Sequence, residues 1–157
     1  MNILTSRFGE IEVPDESLIE FPRGIIGFRD ARRFVIFDCG EQGIFKWLQS
    51  ADIPDLAFVI CEAHLLVPEY KITLRPEESE ILKLTNSEDA AVCLILVIPE
   101  NPQEATANLL GPIVMNSASR LGMQLVLINA DYSTRYKIFA GRTFAGAADK
   151  EGDNVSA

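Results

Sequence analysis

The sequence predicts a mainly β protein: a small antiparallel β-barrel, closed or partly open, or a barrel-like sandwich, with one or two short helices. Three observations carry this expectation. Short runs rich in Val, Ile, Phe and Trp recur with Gly, Pro, Asn and Asp between them, the spacing of strands and turns. In Glu10-Ile11-Glu12-Val13 apolar and acidic residues alternate, as in a strand with one wet face. Residues 90–98 and 124–128 are instead almost continuously apolar, which suits strands covered on both faces.

Taken in order, residues 2–6 and 10–13 flank Arg7-Phe8-Gly9 as an opening hairpin. Strands are predicted at 34–37, 45–49 and 56–61, divided by the turns Gly40-Glu41-Gln42-Gly43 and Asp52-Ile53-Pro54-Asp55. Residues 70–74 form a further candidate strand. Residues 75–84 break the pattern: Pro76 at a first turn, followed by Glu77, Glu78 and Glu80, favours a short helix, whose partial positive end attracts anions. Ile81, Leu82 and Leu84 give that helix an apolar side for the barrel. Pro99 and Pro102 end strand 90–98, because proline donates nothing to a ladder. A single helical turn is expected at 117–122, then strands at 124–128 and 136–139. Residues 1–143 are expected to form one domain and 144–157 a disordered tail, since from residue 145 onward small and charged residues prevail and Val155 is the one large apolar side chain.

Composition narrows the function. A chain of 157 residues, 48% hydrophobic and 24% charged, is an ordinary globular sequence. Its longest apolar run, 90–98, is too short to span a bilayer, and residues 1–7 lack the basic-then-apolar layout of a signal peptide, so a cytoplasmic location is expected. The 14 basic against 23 acidic residues, net −9, disfavour direct nucleic-acid binding, which depends on neutralising phosphates. An acidic chain is better suited to a basic protein partner, although the charge serves solubility equally well. Cys39, Cys61 and Cys93 are odd in number and widely spaced, and read as small buried hydrophobes.

Catalytic chemistry finds little purchase. His64 is the only histidine, so a small hydrolase or thiol enzyme would have to pair it with Cys61 or Cys93. A structural histidine in a loop or at a strand edge is the simpler expectation. One His and three scattered Cys show none of the paired spacings of a zinc site. Gly24-Ile25-Ile26-Gly27 lacks the third glycine and the strand-to-helix setting of a dinucleotide site. No catalytic, metal or cofactor residues are therefore assigned.

Two stretches carry more. Phe21-Pro22-Arg23-Gly24-Ile25-Ile26-Gly27-Phe28 places turn-permitting glycines among apolar anchors, and Phe21 and Phe28 are expected in the core. Thr106-Ala107-Asn108-Leu109-Leu110-Gly111-Pro112-Ile113-Val114-Met115-Asn116 reads as two extended pieces joined at a corner, with Pro112 implying an edge or bulge. The first resembles the F-x-x-G-I-x-G-F element of the bacterial flagellar assembly factor FliW family, the second its T-x-N-L-x-A-P-I-x-x-N element, with Gly111 in place of Ala. Trp47-Leu48-Gln49-Ser50, Leu56-Ala57-Phe58-Val59-Ile60 and Asp131-Tyr132-Ser133-Thr134-Arg135-Tyr136 resemble further family segments, in order along residues 1–140. The resemblance implies a protein that binds the translational repressor CsrA and relieves its silencing of flagellin messenger RNA, with flagellin competing for the same protein. A flagellin-specific chaperone with no part in RNA regulation is the alternative. Asn108, Leu109, Pro112, Ile113 and Asn116, on a predicted edge element, are the candidate partner-binding residues; the same residues suit a purely structural corner.

Overall fold

Alternating side-chain direction along extended backbone gives each strand two faces, and here both are put to use. The computed structural model describes residues 1–39, 43–128 and 131–139. In them the chain forms β1 (Asn2–Thr5), β2 (Gly9–Glu12), β3 (Ile19–Glu20), β4 (Arg33–Cys39), β5 (Phe45–Ser50), β6 (Ala57–Glu62), α1 (Ala63–Leu66), α2 (Pro76–Leu82), β7 (Ala90–Val97), β8 (Thr106–Ala107), β9 (Ile113–Asn116), β10 (Leu121–Gln124) and β11 (Tyr136–Lys137). The β4-β5-β6-β7 meander is antiparallel, β7 pairs with β9, β9 with β10, β10 with β3, and β3 with β4, so the hydrogen bonding closes into a ring. The single parallel contact, Leu121 opposite Glu20, closes it. β8 and β11 extend from the other half of β7, where Leu96 and Val97 face Ala107 and Thr106.

The ring's interior is filled by Ile19, Phe21, Phe34, Leu48, Ile60, Ile113 and Met115, with the rings of Phe21 and Phe34 meeting edge-on at 5.0 Å. Each fully buried side chain of this size contributes about 1.5–3 kcal/mol. On the outer face the intervening residues are covered as well. Trp47, Cys61, Leu94 and Leu96 pack beneath α1, Val67 and Tyr70, while Leu82 of α2 lies on Val114 and Met123, and the β1–β2 hairpin lays Ile3 and Val13 on Val35. This double cover is why β7 reads as a nearly unbroken apolar run. The α2 helix begins as its sequence requires: Pro76 occupies the first turn, and Glu78 Oε1 accepts the Arg75 N–H at 2.7 Å. No helix among the described residues is long and apolar enough to cross a membrane.

Four local expectations are corrected. Residues 70–74 form no strand. Tyr70 is pinned into the outer core by stacking on Tyr132 (4.8 Å) and by donating its hydroxyl to Leu109 O (2.6 Å), and the strands it covers have no free edge to offer. Residues 117–120 form one hydrogen-bonded turn, the β9–β10 hairpin turn, and 121–122 already belong to β10: Asn116 Oδ1 takes the Ala118 N–H and Asn116 O the Arg120 N–H, with Arg120 at φ 60°. At 124–128 only Gln124 lies in β10; beyond it, Leu125 N donates to Pro112 O and Leu127 N to Leu110 O, and Val126 and Ile128 stay exposed instead of covered. Val97, at the end of β7, is likewise exposed. Residues 40–42, within the first predicted turn, and the predicted tail 144–157 lie outside the described residues.

Candidate partner-binding surface

The predicted edge at 108–116 is not an edge. β9 lies between β7 and β10, with Ala91 opposite Met115 on one side and Gly122 opposite Met115 on the other. Asn108 Oδ1 accepts the Leu110 N–H at 2.9 Å, a local turn bond. Leu109 is buried, its N–H donating to Ser133 O and its carbonyl accepting from Tyr70. Pro112 is buried and its carbonyl accepts from Leu125; Ile113 points into the ring. Asn116, 3% exposed, ties the β9–β10 turn to the end of α2. The proline signal misleads for a geometric reason. β8 and β9 pair with different halves of the same edge of β7, and Gly111-Pro112 is the corner between the two ladders, where no N–H is needed.

His64 sits in α1, not in a loop, and its Nε2 lies 2.9 Å from Tyr70 O. A carbonyl only accepts, so that nitrogen carries the proton and the ring serves the turn. Burial, together with Cys93 and Glu62, pushes the Cys61 thiol up to about 12, and burial with Glu62 pushes Cys93 up to about 11. Both stay protonated near neutrality, and neither is hydrogen-bonded to His64 among the described residues. The geometry lends the thiol-enzyme alternative no support.

A different region presents itself to solvent. The 21–28 stretch is anchored by Phe21 and Ile25, both buried, and folded back on itself by the Ile25 and Phe28 main-chain bonds. Gly24 sits at φ +65°, packed so closely that a side chain there would strike the Arg29 backbone. Phe28, expected in the core, is 40% exposed, its ring 5.9 Å from Phe58, and Ile26 is 60% exposed. The loop is tied to β10 by the Ile26 N–H, which donates to Gln124 Oε1 at 3.0 Å. Between them lies a cleft of about 500 Å³ lined by Arg23, Arg29, Arg32, Met123 and Gln124.

Just behind the loop, Asp52 fixes the start of β4 by accepting the Arg32 and Arg33 N–H groups and the Arg33 guanidinium. Burial alone would raise this carboxyl; those bonds and the charge of Arg33 outweigh it and lower its pKa. Sequence reading missed this surface because 124–128 looked doubly buried. The available signal was the crowding of Arg23, Arg29, Arg32 and Arg33 into one segment of a chain with net charge −9.

The ring of strands corresponds to known proteins. The sequence profile of the family described as FliW protein matches residues 2–138. The chain belongs to the FliW family. It is 42% identical over 139 residues to the flagellar assembly factor FliW of Bdellovibrio bacteriovorus, covering 88% of this chain and 79% of that protein. With the flagellar assembly factor FliW of Moorella thermoacetica it shares 39% identity over 140 residues, covering 88% and 89% of the two chains. Its fold matches a crystal structure of the flagellar assembly factor FliW at TM-score 0.82 and 35% identity, covering 88% of this chain and 97% of the other. The stretches at 21–28 and 106–116 are thus, in this chain, the device that turns the backbone away from β3 and the corner that lets β9 close the ring.

Proposed function

We propose that this chain is a non-enzymatic regulator of the bacterial cytoplasm that works by partner exchange: it binds the translational repressor CsrA, freeing flagellin messenger RNA, and yields to flagellin when flagellin accumulates. Membership of the FliW family along residues 2–138 is the observation that carries this reading. The net charge of −9 is compatible with a small basic partner. Asn108, Leu109, Pro112, Ile113 and Asn116 take part indirectly, by fixing the corner on which the surface is built.

Size-exclusion chromatography with light scattering, on this chain mixed separately with CsrA and with flagellin of the same organism, tests the proposal. Stable complexes with both, and displacement of one by the other, are expected. Binding to flagellin alone would replace the proposal by the chaperone alternative. Binding to neither, at low salt where charged contacts are strongest, would end it.

A further inference from the structure

We infer that the strand edge at residues 124–128, together with the arginine-lined cleft beside it, takes up an extended peptide segment bearing a carboxylate, which adds to β10 as a further strand. This goes beyond the partner-exchange reading and holds whichever protein supplies the segment.

The backbone makes the first case. Leu125 N and Leu127 N donate to Pro112 O and Leu110 O, so the odd-numbered residues of this run face the β9 side. The main-chain groups of Gln124, Val126 and Ile128 therefore point the opposite way. On that side β3 reaches only Leu121, opposite Glu20, and the chain then turns off at Pro22 and Gly24. Among the described residues, Val126 and Ile128 make no main-chain hydrogen bond. An apolar extended segment with such a row of open groups is a template for another strand.

The side chains make the second. Val126 and Ile128 are 61% and 91% exposed on the same face as Gln124, whose amide holds the loop that presents Ile26 and Phe28. Solvent-facing apolar residues thus flank the open edge on both sides.

Charge selects the occupant. The cleft at the inner end of this edge is lined by Arg23, Arg29 and Arg32 and by no carboxylate. None of these three guanidinium groups is in an ion pair among the described residues, and Arg32 Nε donates only to Arg29 O, at 3.3 Å. In a chain with 23 acidic residues, three unpaired arginines at one spot would draw a negative group. Because β3 blocks the edge beyond Leu121, an added strand must stop at this cleft, placing its end or an acidic side chain against the guanidinium groups. In an antiparallel pairing with a second copy of this chain, the segment 124–128 that it brings carries no carboxylate for these arginines.

The probe is a short fluorescein-labelled peptide alternating valine with threonine and ending in a glutamate pair, compared with an amidated peptide ending in lysines. Fluorescence anisotropy at low salt is expected to show binding of the acidic peptide, with the lysine peptide weaker by about tenfold or more. V126P removes the N–H that faces the open edge while leaving the Leu125 and Leu127 bonds, and is expected to abolish binding with an unchanged far-UV spectrum. Arg23→Ala with Arg29→Ala is expected to weaken binding about tenfold. Should V126P fail to fold, amide exchange by NMR on the unaltered chain decides instead, with peptide-dependent slowing expected at Val126 and Ile128. Equal affinity for the two peptides, no binding of the acidic one, binding untouched by V126P, or a concentration-dependent dimer that protects the same amides would each overturn the inference.

Discussion

Replacing Asn116 by alanine separates a structural from an interfacial role for the 108–116 stretch. Its side-chain Nδ2 donates to Leu82 O at 2.8 Å and to Lys83 O at 3.2 Å, carbonyls at the end of α2, while Oδ1 accepts the Ala118 N–H at 2.9 Å. Alanine deletes all of these. Leu82 O keeps the Ser119 hydroxyl at 2.9 Å, so it is not orphaned, whereas the Ala118 N–H loses its partner. Two good bonds at about 1 kcal/mol each, plus the cost of a polar group left short, give about 2–3 kcal/mol of lost stability. For a chain of this size that is a fall of about 5–10 °C in melting temperature.

Urea unfolding followed by far-UV circular dichroism and by the fluorescence of buried Trp47 measures the loss, while partner titration well below the transition measures binding by the folded fraction. The companion Asn116→Asp keeps the acceptor for Ala118 but aims a carboxylate at the Leu82 and Lys83 carbonyls. The fold then favours the protonated acid, so that group's pKa is raised above its unfolded value, and the variant's deficit grows as pH rises through the folded pKa. If Asn116→Ala unfolded within about 0.5 kcal/mol of the unaltered chain, yet bound its partner less well, Asn116 would belong to the interface and the structural account would be wrong.

Three further outcomes are expected. A methyl at Gly24 meets Arg29 Cα and the Arg29 and Phe28 carbonyl oxygens at 2.7 Å, at φ +65°, while one at Gly122 meets the Phe21 ring at 2.7 Å. Thermal melts should show losses of about 2–3 kcal/mol for Gly24→Ala and about 1–3 kcal/mol for Gly122→Ala. The depressed carboxyl of Asp52 adds stability that is fully present above its unfolded pKa of 3.8 and lost as pH falls through the lower folded value; the gap between unaltered chain and Asp52→Asn, measured by urea titration across that range, should shrink on acidification. Cys61, buried and held protonated, should react with a thiol reagent near neutral pH only at the rate of unfolding, and half-buried Cys93, also held protonated, should react slowly; fast labelling of Cys61 in the folded chain would contradict its placement.

How much of this was legible before the fold follows from what each signal measures. The helix at Pro76–Leu82 was readable because its start is encoded locally, in Pro76 and Glu78. The strands of the β4–β7 meander were readable because short apolar runs that supply the core are separated by turn residues such as Asp52-Ile53-Pro54-Asp55. Pairing is not local. Nothing within residues 106–116 tells that β7 lies along both halves of the stretch, so a proline that marks a corner read as one that marks an edge. The same limit acts in reverse at 124–128, where apolar composition suggested double burial. Whether the inner face of Val126 and Ile128 is covered depends on how far β3 runs, and β3 ends at Glu20.

That dependence gives the 21–28 motif a purpose beyond anchoring. A closed ring of strands removes edges, and with them the simplest means of gripping another chain. Here the ring is closed through a strand of two residues, and Phe21, held in the core, is followed at once by Pro22 and the left-handed Gly24. The chain is thereby forced out of the sheet after one parallel contact, and the extended segment that follows β10 runs on past it with one side unpaired. Lengthening β3 would complete the barrel and cover Val126; keeping it short leaves an open edge bordered by Arg23 and Arg29. A motif whose residues do no chemistry can therefore govern binding, because its turn decides where the sheet stops.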